Sequence, residues 1–456
     1  MPKKKTALTI EERLQQALVP AEEQPYEVPE NWVWVRLESV ASWGSGGTPS
    51  RKHEEYYNGD ILWIKTGELN NGWIYDTEEK ITDEGLKKSS AKLFPPYSVL
   101  IAMYGATIGK VAILGVPATT NQACACAVCN QSLLYMYLFY YCISQKNVFI
   151  EKGKGGAQPN ISQIILKQHP IPLPPLSEQQ RIVERIEELF AKLDEAKERL
   201  QEVADSFAVR KAAILHKAFT GELTKQWRCE NGVSDESWEE KKFDYCIEKM
   251  QNGLSKRKGD EGNNIGVLRL ANLGEDDLVL DDLRYILLTE KEEKNYLLSK
   301  DDVIMIRVNG SKDNVARQIV INTDEKLAFC DHIIRIKYNP NIVARYVMYF
   351  SKTNAYRKYV EDNMVSSAGQ NTISRKGLAS LVIPLPSIEE QHEIVRLIDD
   401  LLARERKAQQ AAEQALASID LMKKSILARA FRGELGTNKA SEASALELLR
   451  QVLAEN

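Results

Sequence analysis

Ile171 to Leu193 reads IPLPPLSEQQRIVERIEELFAKL, and Ile383 to Leu401 reads IPLPSIEEQHEIVRLIDDL. In both stretches, prolines precede a Glu-Gln pair and a run of apolar residues at helical spacing. This combination predicts a helix that begins directly after the prolines. The two stretches lie 212 positions apart (383 − 171). One chain therefore contains the same helix start twice.

The same offset relates segments on either side of the two helix starts. It takes Gln158 to Gln370, and it takes AFTGEL at 218–223 to AFRGEL at 430–435. A constant offset without gaps over this length indicates a duplication. The period is far longer than that of a solenoid repeat, so the sequence predicts a duplicated pair of domains.

The bulk composition is that of an ordinary globular protein, with 43% hydrophobic and 27% charged residues. A length of 456 residues allows about three domains at roughly 150 residues each. The net charge of −4 argues against a uniformly basic nucleic-acid coat, but it is compatible with local basic surfaces.

Three further features bear on where the protein works. No apolar run approaches the ~20 residues of a membrane span, so no membrane contact is expected. The N-terminal lysines are not followed by the apolar segment of a secretory signal. Seven cysteines, an odd number, are expected to be free thiols. Together these features predict a cytoplasmic protein.

Turn residues and periodicity divide the chain into alternating mixed and helical segments. Short strands are predicted at 61–64, 99–102 and 111–114, and a buried helix at 133–143. The predicted segments are an N-terminal arm with a short helix at 1–30, a first mixed domain at 31–175, a first helical region at 176–225, a second mixed domain at 226–386, a second helical region at 387–436 and a C-terminal tail helix at 437–456.

The helical regions carry a heptad seam. Apolar residues alternate at steps of 4 and 3 from Ile182 to Phe207, and the second copy repeats this spacing from Ile394 to Ile419 with Glu405 as a polar interruption. Such a stripe needs a partner helix. We expect the two helical regions to pair with each other about a pseudo-twofold axis, while a coiled coil between two chains is the alternative.

The start and length of the first long helix follow from the same pattern. Ser177 and Gln180 have the spacing of a capping box. A continuous helix from Glu178 to Phe219 would be about 60 Å long at 1.5 Å per residue. The predicted fold class is therefore α+β: two similar mixed α/β domains separated by two long antiparallel coiled-coil helices, with a pseudo-twofold internal repeat.

Two segments are superficially similar to enzyme motifs, and both lack a required group. In Phe94-Pro95-Pro96-Tyr97, phenylalanine stands where an amino-methyltransferase needs a polar side chain to hold the target amine. The loop at 105–111 (GATIGKV) is one residue shorter than a phosphate-binding loop, and Val111 replaces the hydroxyl that would hold magnesium. No catalytic residues are predicted.

Cys124, Cys126 and Cys129 alternate with small residues. Zinc sites prefer well-separated pairs of Cys or His ligands, and no histidine lies nearby. Because cysteine is commonly buried as a small apolar residue, the alternation is better explained by a tightly packed strand. No metal site is predicted.

Several motifs together resemble the specificity (S) subunits of type I restriction-modification systems. They are the two helix starts, AFTGEL and AFRGEL, and the loops GGTPS at 46–50 and GATIGK at 105–110. The resemblance covers nearly the whole chain. It implies a non-catalytic subunit in which the two mixed domains are target recognition domains, each reading half of a bipartite sequence in double-stranded DNA. The helical regions would space these domains and bind two methyltransferase (M) subunits.

The resemblance also implies the rest of the complex. The M subunits would bind S-adenosylmethionine and methylate adenine at N6 in both half-sites, and restriction (R) subunits would join for cleavage. This chain itself would hold no cofactor.

Residues that touch DNA are expected on exposed turns of the mixed domains, because base edges and phosphates are reached by polar and basic side chains. At each single position a solvated surface charge is the competing interpretation. The segment at 307–312 (RVNGSK) corresponds to Met103 to Ala106 in the first copy. The candidates are Thr48, Ser50, Arg51, Lys65, Tyr104, Lys110, Asn121, Lys152, Lys154 and Gln158 in the first domain, and Lys256, Arg257, Lys258, Arg269, Arg307, Asn309, Lys312, Arg317 and Gln370 in the second.

The M subunits are expected to contact the polar faces and Phe-containing ends of the helices. The residues predicted there are Gln179, Gln180, Arg181, Phe219, Gln391 and Phe431.

The chain ends are also expected to meet. LQQAL at 14–18 is similar to LRQVL at 449–453, and both have helical spacing. We expect the two terminal helices to come together.

Two other functions are alternatives. A self-contained methyltransferase or nuclease is disfavoured by the missing motifs. A two-headed protein-binding scaffold would bind DNA weakly or without salt dependence.

Overall fold

The computed structural model describes residues 9–153 and 160–455. These residues form two compact units. The first unit contains the described residues up to Arg199 together with those from Ala415 onward. The second unit runs from Leu200 to Gln414. Each unit contains one mixed domain and a part of both long helices.

The first half of the chain begins with a short helix, continues through a mixed domain and ends in a helical region. Its elements are α1 (Ile10–Ala17), β1 (Val33–Arg36), α2 (Leu37–Val40), β2 (Ala41–Ser45), β3 (Tyr57–Ile64), β4 (Trp73–Ile74), β5 (Lys80–Ile81), α3 (Asp83–Lys87), β6 (Val99–Ala102), β7 (Val111–Leu114), β8 (Thr119–Thr120), β9 (Cys124–Cys129), α4 (Tyr135–Ser144), α5 (Lys146–Lys152), α6 (Gln163–Lys167), β10 (Pro170–Leu173), α7 (Leu176–Asp205), α8 (Phe207–Phe219) and α9 (Lys225–Asn231).

The second half repeats much of this order, with the additional strands β16, β20 and β21, a longer final helix and a tail helix. Its elements are β11 (Glu239–Lys242), α10 (Phe243–Cys246), β12 (Ile247–Asn252), β13 (Asn263–Leu268), β14 (Arg284–Leu288), α11 (Glu290–Tyr296), β15 (Val303–Ile306), β16 (Val308–Asn309), β17 (Gln318–Val320), β18 (Leu327–Phe329), β19 (Ile333–Tyr338), α12 (Ala344–Phe350), α13 (Asn354–Asn363), β20 (Val365–Ser367), β21 (Gln370–Thr372), α14 (Arg375–Ala379), β22 (Val382–Leu385), α15 (Ile388–Ala430) and α16 (Ala445–Glu455).

The two mixed domains share one sheet topology. The order β2-β9-β6-β7 in the first unit corresponds to β12-β19-β15-β17 in the second, and β5-β3-β8 corresponds to β14-β13-β18. The pair β1-β10 corresponds to β11-β22. Trp63 lies opposite Thr119 in parallel register, as Val267 lies opposite Ala328. The predicted duplication is therefore confirmed in the sheets as well as in the helices.

The predicted secondary structure is largely confirmed. The three predicted strands lie in β3, β6 and β7, and the buried helix is α4. The cysteine alternation forms β9, whose Cys124 and Cys126 side chains pack in one apolar cluster while Ala125 and Ala127 pack in another.

The first long helix is not continuous, which corrects one prediction. It is interrupted at Ser206, between α7 and α8, whereas α15 runs through 43 residues. The Ser206 hydroxyl donates a hydrogen bond to the carbonyl of Val203 and also contacts the Arg210 guanidinium. Serine side chains compete with the helix backbone for such bonds. The predicted heptad stripe is also interrupted near this place, since the side chain of its member Val203 is 43% exposed.

The predicted capping box at Ser177 and Gln180 is also wrong. Helix α7 already begins at Leu176, and the Gln180 amide donates to Glu184 one turn further on. The carbonyl of Pro175 accepts hydrogen bonds from the first backbone N–H groups instead.

Within the first unit, α7 and the C-terminal part of α15 are antiparallel. Ile182 and Ile186, near the start of α7, share an apolar cluster with Leu427 and Phe431 near the end of α15. Further along α7, the ammonium of Lys423 lies 2.5 Å from the Asp194 carboxylate.

Within the second unit, α8 and the N-terminal part of α15 are also antiparallel. Leu215, near the end of α8, shares a cluster with Ile394 and Ile398 near the start of α15. Arg210 forms a 2.8 Å ion pair with Glu405, the residue that interrupts the predicted seam. Each unit thus contains its own partner for its helix, as predicted for an intramolecular pair.

The Glu-Gln pair at each helix start is buried and joins the helix to the mixed domain before it. The Gln179 amide accepts a 2.9 Å hydrogen bond from the Leu134 N–H at the start of α4, and it donates to the carbonyls of Ser132 and Pro174. Gln391 repeats this arrangement with the Val343 N–H and the carbonyls of Asn341 and Pro386.

The neighbouring glutamates join each helix to the segment that follows its partner helix. In the first unit, Glu178 accepts hydrogen bonds from Trp32 Nε1 at 2.7 Å and Asn438 Nδ2 at 2.8 Å. Burial raises the pKa of Glu178, and these bonds oppose the rise. In the second unit, Glu390 accepts from Thr224 Oγ1 at 2.6 Å and Arg228 Nη1 at 2.7 Å.

The terminal helices α1 and α16 pack against each other in the first unit, as the sequence predicts. Arg13 donates to the carbonyl of Leu453, and Leu14, Ala17 and Leu449 are buried in the same apolar cluster. Both chain ends therefore contribute to the core of the first unit. Across residues 9–153 and 160–455, the structure contains no helix that is long and apolar enough to span a membrane.

Replacing Gln179 by leucine is expected to lower the free energy of unfolding by about 2–4 kcal/mol, because one backbone N–H and two carbonyls would be buried without partners. The matched control is Gln180→Leu, an exposed neighbour with little expected effect. Chemical unfolding and hydrogen exchange of the Leu134 amide measure the difference. Equal stability and equal Leu134 protection in the two variants would contradict the assigned role of Gln179.

Candidate nucleic-acid interface

Four loops of the first unit meet at one edge of its sheets. The Asn121 N–H donates to the carbonyl of Ile64, and the Gly47 N–H donates to that of Thr120, both at 2.9 Å. The Met103 N–H donates to the carbonyl of Ala123 at 2.9 Å. These bonds bring together the loops that carry most of the predicted DNA contacts. We call them the first edge, formed by residues 46–51, 65, 103–110 and 121–123.

The glycine in the GGTPS motif is required by a close backbone approach. A Cβ added to Gly46 would lie 1.8 Å from the carbonyl oxygen of Thr120. Gly253, at the corresponding place in the second unit, would bring a Cβ to 2.1 Å from the carbonyl oxygen of Cys330. Both are distances that only glycine tolerates, so Gly46 and Gly253 set the position of their loops.

The basic side chains of the first edge are held by an acidic neighbour. Glu79 pairs with Arg51 at 2.7 Å and with Lys65 at 3.0 Å. Its hydrogen bond with Lys65, and then Arg51, lowers the pKa of Glu79 despite some burial. The Arg51 guanidinium carbon also lies 4.3 Å from the ring centre of Tyr57 and 5.2 Å from that of Trp63. The positive charges of Arg51 and Lys65 are therefore largely neutralised by Glu79 within this cluster.

The other predicted contacts of the first domain divide into three groups. Thr48, Ser50 and Tyr104 are exposed at the first edge, and the Thr48 hydroxyl donates to Gln122. Lys110 and Asn121 lie at the same edge and are half-buried. Lys154 and Gln158 fall outside the described residues.

Lys152 has a contact partner within its own domain. Its ammonium lies 3.2 Å from Nδ1 of buried His169, and burial lowers the pKa of Lys152. Burial, and then Lys152, lower the pKa of His169 to about 3. Lys152 nevertheless keeps an exposed side chain, so its contact with DNA stays a prediction.

The second unit builds the equivalent edge with the same backbone hydrogen bonds. The Arg307 N–H donates to the carbonyl of His332, as that of Met103 does to Ala123. The Ile373 N–H donates to the carbonyl of Arg307, as that of Ile161 does to Met103. The predicted correspondence between RVNGSK at 307–312 and the loop from Met103 is therefore confirmed. This second edge comprises residues 253–258, 269–271, 284, 307–312 and 330–332.

The second edge contains a basic cavity of about 280 Å³. Val267 leaves this space open where bulky Trp63 stands in the first unit, and Arg284 takes the place of Glu79. Among the described residues, Arg284 has no acidic partner within ion-pair distance. The cavity is lined by Lys256, Arg257, Arg269, Arg284, Asp331 and His332, among others.

Two nitrogen atoms at this cavity are buried without a hydrogen-bond partner: Nε of Arg269 and Nδ1 of His332. Unpaired buried polar atoms are costly and uncommon in folded proteins. Arg284 and His332 were not predicted from the sequence. Their role depends on the pairing of β13 with β14 and on the loop after β18, and only the strand register reveals this.

The remaining predicted residues of the second domain occupy different environments. Arg257, Lys258, Lys312 and Gln370 are exposed, while Arg307 and Asn309 are half-buried at the edge. Lys256 pairs with Glu292 at 3.0 Å, and Arg269 pairs with Asp282 at 2.7 Å.

Arg317 is withdrawn from the predicted contacts. It donates a 2.7 Å hydrogen bond to the carbonyl of Leu273, and its Nε is buried. Burial is also the main cause that lowers the pKa of Arg317. Its side chain braces the domain internally.

The predicted partner surface also needs correction. Gln179, Gln391 and Phe431 are at most 1% exposed and have internal contacts, so we withdraw these three residues from it. Gln180 is exposed, and Phe219 is partly exposed. The guanidinium of Arg181 forms two hydrogen bonds with Glu442, at 2.9 and 2.8 Å.

The motifs similar to enzyme sites have structural roles. Residues 105–110 form the turn between antiparallel strands β6 and β7, whereas a phosphate-binding loop leads from a strand into a helix. Phe94 is buried in an apolar cluster. Burial raises the pKa of Cys126 to about 12. In the described part of the chain, no group of three or more Cys, His, Asp or Glu side chains is arranged to hold a metal ion.

Comparison with known proteins identifies the family. The family model described as type I restriction modification DNA specificity domain matches twice, at residues 29–205 and 236–414. The StySPI specificity subunit of Salmonella potsdam is 31% identical over 94% of this chain and 96% of its own length. The EcoKI specificity subunit of Escherichia coli K12 is 27% identical over 94% of this chain and 96% of its own.

Solved structures agree with the fold. The HsdS subunit from Thermoanaerobacter tengcongensis has a TM-score of 0.64 at 20% identity, covering 91% of this chain and all of the other. A chain from a study of the assembly of the type I R-M system also gives 0.64, at 21% identity, covering 90% of this chain and all of that one. With its duplicated domains and two family matches, the chain belongs to the family of type I restriction-modification DNA specificity subunits.

Proposed function

We propose that the first and second edges each read one half of a bipartite target in double-stranded DNA. The observation that carries this proposal is that the two edges share their backbone hydrogen bonds but differ in their side chains. Shared loop positions suit two readers of the same duplex geometry. Different side chains suit two different base sequences, because base edges are distinguished by donor and acceptor patterns.

The two edges are expected to use different chemistry. The first edge combines exposed Thr48 and Tyr104 with a cation cluster already neutralised by Glu79. The second edge presents exposed Arg257 and Arg284 beside half-buried Arg269 and His332. Phosphate contacts and bidentate contacts to guanine are typical of arginine. Electrostatic attraction would therefore be concentrated at the second edge, even though the chain is acidic overall.

The remaining parts of the complex are proposed from family membership. Two methyltransferase subunits would dock on this chain and use S-adenosylmethionine to methylate adenine at N6 in each half-site. Restriction subunits would join that complex in the cytoplasm. This chain would contribute sequence recognition and would not contact the methyl donor.

Co-expression with the cognate methyltransferase subunit, in a host without adenine methylation of its own, tests the function. The expected result is methylation of one bipartite motif on both strands, and its loss when this chain is omitted. Sequencing of host DNA with modified-base detection reads the result. Methylation that persists without this chain would assign specificity to the partner. A complex that forms and leaves DNA unmodified would favour the protein-binding scaffold.

Replacing Arg284 by glutamine is expected to weaken DNA binding several-fold and to lower the slope of log affinity against log salt by about one, because one phosphate contact would be lost. The matched control is Arg375→Gln. Arg375 pairs with Asp244 in α10. Helix α10 precedes β12, whereas the loop at 253–258 of the second edge follows β12, so Arg375 lies at the other end of that strand. Fluorescence anisotropy over a salt series gives both quantities. Identical affinities and slopes for the two variants would exclude Arg284 from the interface.

A further inference from the structure

The two units differ at the outer edge of their two-stranded sheet. In the first unit, the segment after α1 runs along β1: Leu18 lies opposite Val35, and the Val19 N–H donates to the carbonyl of Trp34 at 3.0 Å. Among the described residues, β11 pairs only with β22. The outer edge of β11 is therefore open, and open strand edges readily pair with another chain.

The same aromatic triad lies beneath this edge in both units. Phe431 packs against Tyr137 and Tyr141 with ring centres 5.2 and 5.0 Å apart. Phe219 packs against Tyr346 and Phe350 at 5.0 and 5.3 Å. Phe431 is 1% exposed, but Phe219 remains partly exposed. All three rings of the first triad are buried, whereas in the second triad Phe219 is left partly exposed beside buried Tyr346 and Phe350.

Two aromatic side chains pack on each other at this edge in the first unit. Trp34 is 2% exposed and lies edge-on to Tyr26, with ring centres 4.9 Å apart. Arg432 lies over the Tyr26 ring at 5.2 Å. In the second unit, Glu240 takes the position of Trp34, since each lies opposite the equivalent proline of the neighbouring strand. A chain segment equivalent to 18–26 does not precede β11, because α9 and a short connection lie there.

An open groove of about 490 Å³ results in the second unit. This volume is within the ~300–1,000 Å³ typical of binding pockets. Its lining is mainly apolar, with the Glu240 carboxylate at the strand edge. The residues that matter here are Leu215, Phe219, Glu240, Phe350, Val382 and Pro384.

We propose that this groove, named the β11 groove, binds an extended segment of the methyltransferase partner. The segment would pair with the open edge of β11, as Leu18 and Val19 pair with β1 in the first unit. It would also place an aromatic side chain against Phe219. A basic residue beside the aromatic ring would pair with Glu240. Strand addition supplies backbone hydrogen bonds, and a buried aromatic anchor supplies much of the affinity.

A second copy of this chain fits the groove less well. Its own segment 18–26 is already bound along β1, through Val19 and the packing of Tyr26 on Trp34. Releasing that segment would uncover buried residues of the first unit. The proposal rests on the proposed function, since it names the methyltransferase subunit as the occupant. It also makes the two units unequal, because only the second offers this groove.

Filling the groove tests the proposal without removing any packing residue. Glu240→Trp introduces the residue that the first unit has at this position, and it is expected to weaken binding of the purified methyltransferase subunit about tenfold. The matched control is Glu239→Trp, whose side chain points to the opposite face of β11 and whose affinity should stay within about twofold. Titration calorimetry measures both, and thermal unfolding verifies that the two variants are equally stable.

A photo-crosslinking residue at His216, an exposed position that lines the groove, identifies the occupant. Crosslinks to an aromatic-containing peptide of the methyltransferase subunit are expected. Crosslinks to a second copy of this chain, no crosslink, or equal affinities for the two tryptophan variants would overturn the proposal. DNA binding by this chain alone, measured on the same variants, distinguishes the two claims: if it is retained while the groove test fails, the proposed recognition role stands.

Discussion

A buried glutamine at the start of each long helix connects that helix to the domain that reads DNA in our proposal. Gln179 and Gln391 each satisfy one backbone N–H and two carbonyls of the mixed domain. Each such bond contributes about 1 kcal/mol net, but a broken one leaves buried groups that cost more. The direction in which a mixed domain leaves its helix is thereby fixed, and the same solution is used twice.

Because the anchor is shared, the domains are free to differ where they meet DNA. The backbone at both edges is held by matching hydrogen bonds, from Met103 in one unit and Arg307 in the other. Side chains at equivalent positions have opposite character, as Glu79 and Arg284 show. A fixed frame with variable side chains allows one half-site specificity to change without altering the other. The asymmetric β11 groove is the exception, since only the second unit has it.

The sequence allowed much of this architecture to be predicted. The constant offset revealed the duplication, and heptad spacing revealed the helices and their antiparallel pairing. It did not reveal which polar residues are buried. Gln179 and Gln391 resemble exposed helix residues, and only the adjacent domain supplies their partners. The predicted DNA contact of Arg317 is wrong for the same reason, since the acceptor of its hydrogen bond, the carbonyl of Leu273, lies in a different loop.

Arg284 and His332 are the opposite case, because they line the cavity of the second edge and were not predicted from the sequence. Their proximity to Arg269 depends on the register of β13 with β14 and β18, which a single sequence does not specify. The break at Ser206 is a local competition between a hydroxyl and the helix backbone, which heptad spacing does not report.

Exchange of one mixed domain tests the central claim most directly. Residues 31–175 would be replaced by the corresponding segment of a related specificity subunit with a known target, keeping the Glu-Gln anchor of α7. Methylation mapping of the chimeric complex then reads both half-sites and the gap between them. Our account predicts that one half of the motif changes to that of the donor, while the other half and the gap stay the same. A change in both halves, or in the gap alone, would contradict it.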